Sequence, residues 1–175
     1  MNIKMVFKME YLQVFDKDKN MLNEKISRED KFSLKDGKHF ILVIVFIENS
    51  ECKFLLQKTS SNRDSCIATT GGHVTFGDDG FKTVQKEVKE ELGLNLFPSE
   101  FNYIDTFDYK NGFLEIYYVK KDIDINKLKL QEEEVESVNW YSIDEINDLI
   151  KENKLRKGNI KPFEEVLKYR SKINE

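Results

Sequence analysis

The stretch Gly71–Leu94 reads GGHVTFGDDGFKTVQKEVKEELGL, with four glycines and two aspartates in its first ten residues. Its second half has the spacing of an amphipathic helix, in which residues three and four apart lie on the same side. The apolar side consists of Phe81, Val84, Val88 and Leu92. Three glutamates, Glu87, Glu90 and Glu91, fan over an arc of roughly 100° beside it. The pattern predicts a helix that buries one side and presents carboxylates from another.

Candidate caps bound this helix on both sides. At the start, Asp78 or Asp79 can accept hydrogen bonds from free backbone N–H groups. At the end, Gly93 can adopt the left-handed conformation, and Leu94 can then fold back onto the helix. We therefore predict a helix that begins at the aspartates and stops at Gly93.

The glutamate cluster is the candidate for chemistry. Like charges three and four positions apart repel by roughly a few tenths of a kcal/mol, so the cluster weakens an isolated helix unless a cation binds there. Hard divalent cations such as Mg²⁺ take oxygen ligands and commonly share phosphate oxygens with the protein. Gly71 and Gly72 would let the backbone approach the same cation or a phosphate. The alternative is an ordinary solvated helix face, which charged runs usually are.

Composition restricts the class of protein. A chain of 175 residues can form one domain with a substantial core, and 39% hydrophobic residues, 34% charged residues and a net charge of -4 are typical of a globular protein. This balance does not favour a nucleic acid polymer as partner. The longest apolar run, Phe40–Ile47, is too short for a membrane span, and lysines interrupt the N-terminal apolar residues before a signal-peptide core could form. We expect a single domain over residues 1–175, located in the cytoplasm, with Cys52 and Cys66 as free buried thiols.

The order of strand and helix signals predicts an α/β domain with a mixed sheet. Apolar and β-branched runs bounded by turn residues indicate strands at Glu10–Phe15, His39–Ile47, Lys53–Gln57, Cys66–Thr70, Tyr103–Tyr109, Phe113–Val119 and Val135–Tyr141. The segment between the first two strands is polar and charged and is interpreted as an entry segment without regular structure. Two further helices are predicted, at Ser142–Glu152 behind a serine cap and at Pro162–Ile173 with proline in the first turn.

The spacing within the opening stretch resembles the Nudix box. That box is Gly, five residues, Glu, seven residues, Arg-Glu, an aliphatic residue, any residue, Glu-Glu, any residue, Gly and an aliphatic residue. Here the pattern runs from Gly72 to Leu94, and seven of its nine fixed positions match over 23 unbroken residues. KFLLQK before the box and VESVNWYSIDEI after it extend the resemblance to most of Phe40–Leu149. The chain is therefore similar to the Nudix hydrolase superfamily.

The resemblance implies a fold, an activity and a metal. The fold would be a Nudix-type α/β/α sandwich with a mixed β-sheet. The activity would be Mg²⁺-dependent hydrolysis of a diphosphate bond in a nucleoside diphosphate linked to another moiety, X. The metal ligands would be Glu87, Glu90, Glu91 and the Gly72 carbonyl, with Mn²⁺ as an alternative to Mg²⁺. The partner would be a small-molecule diphosphate, and a homodimer is left open as the assembly.

The catalytic base is open among several carboxylates. Hydrolysis requires a base that takes a proton from the attacking water. Glu87 is one candidate, and Glu134 in QEEEV and Glu115 in FLEIYYV are others, although both could equally face solvent. Lys86, at the position of the box arginine, is counted with the catalytic residues.

Substrate contacts are expected from residues around the start of the box. Lys58 and Arg63 could meet phosphate, although surface charge is the alternative, and the backbone at Gly71 allows a close approach. Four aromatic residues could stack on a base, pack an apolar X group or simply belong to the core: Tyr109, Phe113, Tyr118 and Trp140.

Two positions depart from the box. Asp78 replaces Glu and is one methylene shorter, and Lys86 replaces Arg and lacks the planar fork that can grip a carboxylate in bidentate fashion. Both replacements keep the charge. The departures motivate a second hypothesis, a non-catalytic nucleotide-binding module.

The N-terminal half carries another resemblance. EYLQVFDKDKN, ISRED and KHFILVIVFI resemble the leader of isopentenyl-diphosphate isomerases and their hydrolase relatives, which share the fold. His39 and His73 fall where two metal-binding histidines of the isomerase would lie. However, the isomerase cysteine would align at Gly71 and a further histidine near Phe32, and Cys66 lies five residues too early. We therefore favour hydrolysis over isomerisation and expect both histidines to be structural.

Overall fold

The computed structural model describes residues 9–35 and 37–173. Its strands are β1 (Tyr11–Phe15), β2 (Met21–Ser27), β3 (Ile41–Glu48), β4 (Phe54–Thr59), β5 (Ile67–Ala68), β6 (Thr70–His73), β7 (Asn102–Tyr109), β8 (Gly112–Lys120) and β9 (Val135–Tyr141). Its α-helices are α1 (Gly80–Leu92), α2 (Ile143–Lys151) and α3 (Ile160–Ile173). None of the helices in these ranges is long and apolar enough to span a bilayer.

A mixed sheet forms the centre of the molecule. Its strands follow the order β5, β4, β3, β8 and β7, with β6 paired to β3 and β9 paired to β4. The long apolar strand β3 pairs in parallel with β8, whereas it pairs in antiparallel fashion with β4 and β6. The predicted mixed sheet is confirmed.

Alternation along β3 produces two cores, one on each side of the sheet. Val43 and Val45 belong to the cluster that contains Val84 and Val88 of α1. Ile44 and Phe46 alternate with them and face the other side, where the Phe46 ring lies 5.7 Å from that of Phe163 in α3. Because successive strand residues point to opposite faces, a strand of unbroken apolar residues needs a cover on both. The α/β/α sandwich is confirmed.

The segment after β1 forms a strand that the sequence analysis missed. Residues of β2 pair with β1 in an antiparallel hairpin, for example Leu12 with Ile26. Most β2 residues are at least partly exposed, so the segment lacks the apolar alternation that identifies a strand. Its regular structure comes from backbone pairing with β1.

This N-terminal hairpin holds the loop that precedes α1. The Gln13 N–H donates to the Val74 carbonyl at 2.9 Å, and the Gln13 Oε1 atom accepts from the Gly77 N–H at 3.0 Å. Leu12 also forms a β-bridge with Thr75. The buried Gln13 therefore ties the hairpin to the first half of the box stretch.

Gly71 and Gly72 lie in a strand, and this corrects the prediction of one strand over Cys66–Thr70. β5 and β6 are separate short strands, and Gly71 and Gly72 of β6 pair with Ile44 and Val43. A Cβ atom at Gly71 would lie 2.2 Å from the Val43 carbonyl oxygen. Because glycine has no Cβ atom, β6 can lie close to β3 at this position.

Two burial predictions were wrong. Phe81 is 38% exposed, because it lies at the helix start, where its ring borders those of Phe101 and Tyr117 at the edge of the core. Both cysteines are free, as predicted, but Cys52 is exposed in the β3–β4 turn and Cys66 is only half-buried.

Candidate active site

Helix α1 has the predicted caps. The Asp79 side chain accepts from the Lys82 N–H at 2.7 Å, and Gly93 has a φ of 67° in the left-handed region. The Gly93 N–H donates to the Lys89 carbonyl at 3.0 Å. The helix start and stop are confirmed, and they fix which side of α1 faces the sheet.

The three glutamates of α1 line a cleft of about 390 Å³ together with Gly71 and Gly72 of β6. Glu87 packs directly on β6, since a Cβ atom at Gly72 would lie 2.2 Å from the Glu87 Oε1 atom. Glu90 is exposed, while Glu87 is half-buried. The structure thus brings together all four residues that the resemblance assigned to the metal.

Glu91 is the most deeply buried of the three glutamates, at 6% exposure. Its Oε2 atom accepts from the Gln57 Nε2 atom at 3.0 Å. The Thr70 hydroxyl donates to the Gln57 Oε1 atom at 3.1 Å, which fixes the amide so that its NH₂ group points to Glu91. β4 and β6 therefore hold this carboxylate from below.

Burial makes the ionised form of two of these glutamates, Glu87 and Glu91, energetically unfavourable. Together with repulsion from the nearby carboxylates of Glu90, Glu10 and Glu134, burial raises the pKa of Glu87 to about 7. Burial likewise raises the pKa of Glu91 to about 8, with repulsion from Glu87 as the next cause. A bound cation would offset both effects, because it favours the ionised carboxylates.

The chemistry of this donor set fits a hard divalent cation. All of its candidate atoms are oxygens, which Mg²⁺ and Mn²⁺ prefer. The carboxylates are not gathered around one point. Within residues 9–35 and 37–173, no three His, Cys, Asp or Glu side chains lie close enough together to hold one metal ion. Repulsion between Glu87 and Glu91 opposes a closer approach, and the exposed Glu90 has room to turn toward them.

Two arginine–glutamate pairs also line the cleft. Arg63 forms an ion pair with Glu134, so the structure places both of these predicted residues at the site. Arg28 pairs with Glu10 at 2.7 Å, and both of these residues come from the N-terminal hairpin. Each pair is about one-third exposed, so its guanidinium is accessible from the cleft.

Lys58 and Glu115 lie away from the cleft. Lys58 alternates with Gln57 along β4 and bonds to Glu136 at 2.6 Å. Glu115 packs on Gly80, the first residue of α1, and accepts from the Tyr117 hydroxyl at 2.9 Å. Gly80 and Glu87 are seven residues apart, or about 10 Å along the helix axis. Neither Lys58 nor Glu115 is therefore in a position to act on a group held by the glutamates.

Lys86 points toward the start of its own helix. Its Nζ atom lies 4.0 Å from Asp78 Oδ2, and Lys82 approaches Asp78 Oδ1 at 2.5 Å. Lys86 thus contacts the loop before α1, whereas its neighbour Glu87 lines the cleft.

The histidines and Cys66 do not form the isomerase arrangement. His73 lines the cleft from β6, and its Nδ1 atom is buried without a hydrogen-bond partner among the described residues. Burial lowers the pKa of His73 to about 3, so the imidazole is neutral. The His39 Nδ1 atom lies 3.2 Å from the Asn111 carbonyl. Burial raises the pKa of the Cys66 thiol, which sits beside Thr59 and Asp64.

Of the four aromatic candidates, Tyr109 lines the cleft. Tyr118 is buried and donates its hydroxyl to Glu48 at 2.6 Å, and Phe113 stacks on His39. Trp140 packs against the core beneath α1. Tyr118 is therefore a core residue, and Phe113 and Trp140 are partly buried against the core.

Several cleft residues escaped the sequence analysis: Glu10, Arg28, Gln57, Gln131 and Arg156. They come from segments far apart in the chain, and nothing in their local sequence distinguishes them from surface or strand residues. Contacts between distant segments bring them to one place: the pairing of β1 with β2 and of β4 with β9, and the bond from the Arg156 N–H to the Ile67 carbonyl.

The chain resembles known proteins in both sequence and fold. An uncharacterized Nudix hydrolase of Listeria innocua is 24% identical over 145 residues, which cover 81% of this chain and 85% of that protein. A crystal structure of a Deinococcus radiodurans protein aligns with a TM-score of 0.69 at 18% identity, covering 86% of this chain and 94% of that one. A NUDIX hydrolase from Nitrosomonas europaea aligns with a TM-score of 0.58 at 20% identity, covering 76% and 89%.

At these identities, the two structural likenesses show the fold alone. The assignment to a family rests on the sequence, because a model of the NUDIX domain matches residues 38–165, well over half of the chain. By this match, the chain belongs to the NUDIX domain family.

Proposed function

We propose that the protein is a Mg²⁺-dependent hydrolase that cleaves a diphosphate bond in a nucleoside diphosphate linked to a moiety X. The family supports a hydrolase of nucleoside diphosphate derivatives. The observation that carries the proposal is the set of three glutamates from α1 that lines one cleft, with Glu87 against the backbone of Gly72.

Glu87, Glu90, Glu91 and the Gly72 carbonyl would hold the cation, and Mn²⁺ could replace Mg²⁺. The chemistry that such a cation supplies when bound is neutralisation of the diphosphate and activation of water. The protein contributes the fixed position of the carboxylates, since Gln57 orients Glu91 and β6 supports Glu87.

Glu134 is the base that the geometry favours. It lies in the cleft, and its charge acts on both Glu87 and Glu91. The Glu134 carboxylate forms an ion pair with the Arg63 guanidinium in the free protein. A phosphate oxygen would compete for the Arg63 guanidinium, which would bind the substrate and leave Glu134 free to take a proton from water.

Lys86 acts as a positioning residue in this scheme, because it contacts Asp78 and not the glutamates. Gly71 would admit a phosphate close to the backbone of β6. We further propose that residues 1–175 act as one domain, since β1 and β2 precede the family-matched range and yet support the box loop.

A panel of nucleoside diphosphates linked to sugars, phosphates or nucleosides tests the activity. With Mg²⁺, we expect at least one compound to be cleaved, as measured by chromatography of the products. Turnover should be lost in Glu91→Gln and kept in Cys66→Ala. Binding of the panel without turnover of any compound would support the nucleotide-binding module instead, and conversion of isopentenyl diphosphate would support the isomerase.

The base is tested with three glutamine variants. Glu134→Gln should lower kcat by about 100-fold or more, as expected when a general base is removed. Glu115→Gln and the exposed Glu132→Gln should leave kcat within about twofold, because both lie outside the cleft lining. An equal loss in Glu115→Gln would contradict the assignment of Glu134.

A further inference from the structure

One end of the cleft collects cationic side chains, here called the basic end: Arg28, Lys31 and Lys110. Arg28 lines the cleft, and the Lys31 Nζ atom donates to the Arg28 carbonyl at 3.0 Å. The Nζ atoms of Lys31 and Lys110 each lie 4.5 Å from the ring centroid of Phe32, which is 50% exposed. Lys110 also lies 5.5 Å from the ring of Tyr109, which lines the cleft beside Arg28. The basic end therefore adjoins the cleft through Arg28 and Tyr109.

The three cations crowd one another. Burial lowers the pKa of Lys31, and the charges of Arg28 and Lys110 lower it further. Glu10 offsets Arg28 through a contact at 2.7 Å, with both side chains about one-third exposed. Like charges held this close are unfavourable unless an anion joins them. The electrostatics of this end of the cleft therefore suit an anionic ligand.

Two separate elements build the basic end. Arg28 and Lys31 directly follow β2, and Lys110 lies in the turn between β7 and β8 with a φ of 55°. Arg28 and Lys31 both precede residue 38, where the match to the NUDIX domain begins. The basic end is thus an addition that the N-terminal hairpin makes to the family domain, and the contacts of Gln13 with the box loop hold that hairpin in place.

We propose that the basic end binds a phosphate group carried by X, so that the substrate is a diphosphate whose X moiety is itself phosphorylated. The inference rests on the proposed function, which places the diphosphate at the glutamates. The Arg28 guanidinium presents a planar fork that matches phosphate, and it would exchange Glu10 for the ligand. Lys31 and Lys110 add positive charge, since the Nζ atoms of both lie over the Phe32 ring. These residues determine specificity and take no part in the chemistry.

Inorganic polyphosphates provide a flexible probe of the distance between the two sites. Binding of diphosphate and tetraphosphate is measured by titration calorimetry, once with Ca²⁺ as an oxygen-binding cation and once in EDTA. We expect the protein to bind tetraphosphate about tenfold more tightly than diphosphate, a difference of about 1.4 kcal/mol. Arg28→Gln and Lys110→Gln should each reduce that preference to about twofold or less, as expected for loss of a charge-assisted contact.

Lys25→Gln is the matched control. The Lys25 Nζ atom lies 4.3 Å from the Tyr11 ring on the same hairpin, so this variant removes the same charge from a similar aromatic contact outside the cleft lining. Its tetraphosphate preference should equal that of the unmodified protein. Arg28→Lys, which keeps the charge and loses the fork, should have an intermediate preference and guards against misfolding of Arg28→Gln.

The outcomes separate the two proposals. An unchanged preference in both Arg28→Gln and Lys110→Gln, or an equal loss in Lys25→Gln, would overturn the basic end as a phosphate site. If the unmodified protein binds diphosphate no better with Ca²⁺ than in EDTA, the proposed function fails. The tetraphosphate preference in EDTA would still support or refute the basic end in that case.

Discussion

Replacing Glu91 by Gln should change how stability depends on pH. The carboxyl group of Glu91 is buried, and burial together with the charge of Glu87 raises its pKa from 4.5 to about 8. In the unfolded chain the group ionises near its ordinary value, so between these two pH values the folded protein binds the proton more tightly. Stability is therefore highest below the unfolded pKa and falls as the pH rises through the folded one.

The size of this effect follows from the pKa difference. Each pKa unit corresponds to about 1.4 kcal/mol, so the rise from 4.5 to about 8 corresponds to about 5 kcal/mol. For a chain of this length, 1 kcal/mol changes Tm by about 2 to 4 °C. Glutamine can still accept the bond from Gln57 Nε2 but does not titrate. We expect Glu91→Gln to melt roughly 10 to 20 °C above the unmodified protein at pH 8.5, and close to it at pH 5.

The assay is thermal unfolding followed by circular dichroism in EDTA, at several pH values between 5 and 8.5. Glu132→Gln is the control, because it removes one exposed carboxylate from the acidic turn. Its melting curve should run parallel to that of the unmodified protein at every pH. If Glu91→Gln also ran parallel, or if the unmodified protein became more stable toward pH 8.5, the burial argument for Glu91 would be refuted.

Three further predictions concern the cation and the glycines. Mg²⁺ should raise Tm more at pH 8.5 than at pH 5.5, because carboxylates bind a cation in their ionised form, and Glu91→Gln should lose most of this gain when melted in parallel. Gly72→Ala should abolish turnover of any compound cleaved in the panel, because its Cβ would collide with Glu87, whereas Gly158→Ala, with nothing within 4 Å, should retain full activity. Gly93→Ala should lower the free energy of unfolding in urea by about 1 to 3 kcal/mol, since Gly93 has a positive φ and its Cβ would meet Lys129 at 2.8 Å, and an unchanged midpoint would contradict this.

The parts of the fold that could be predicted are those whose sequence pattern lies within a single strand or helix. β3 is a run of apolar residues long enough to be covered on both faces, and α1 has both an apolar side and a cap at each end. Each of these features depends on residues that are close together in the sequence. The strand β2 was missed because its structure depends on pairing with β1, and its own residues are mostly polar.

The same distinction applies to the cleft. The glutamates were found because they lie on one turn of a single helix within a spaced motif. Glu10 and Arg28 become cleft residues only after the N-terminal hairpin docks on the box loop. Glu115 could not be excluded from its sequence, since strand alternation alone does not tell which end of α1 a side chain of β8 will meet.

The two departures from the box can be judged from the environment of Asp78. Burial alone would raise the pKa of Asp78, but hydrogen bonds from Lys82 and Thr75 and the charges of the two lysines lower it below its ordinary value. Lys82 and Lys86 thus share the role of one arginine, as two point charges around a shorter carboxylate. The Thr75 bond lies within the loop, the two lysine contacts join the loop to the first turns of α1, and none involves Glu87 or Glu91. The departures therefore alter how the loop is fastened and leave the carboxylates of the cleft in place, so they give no structural reason to prefer a module that only binds.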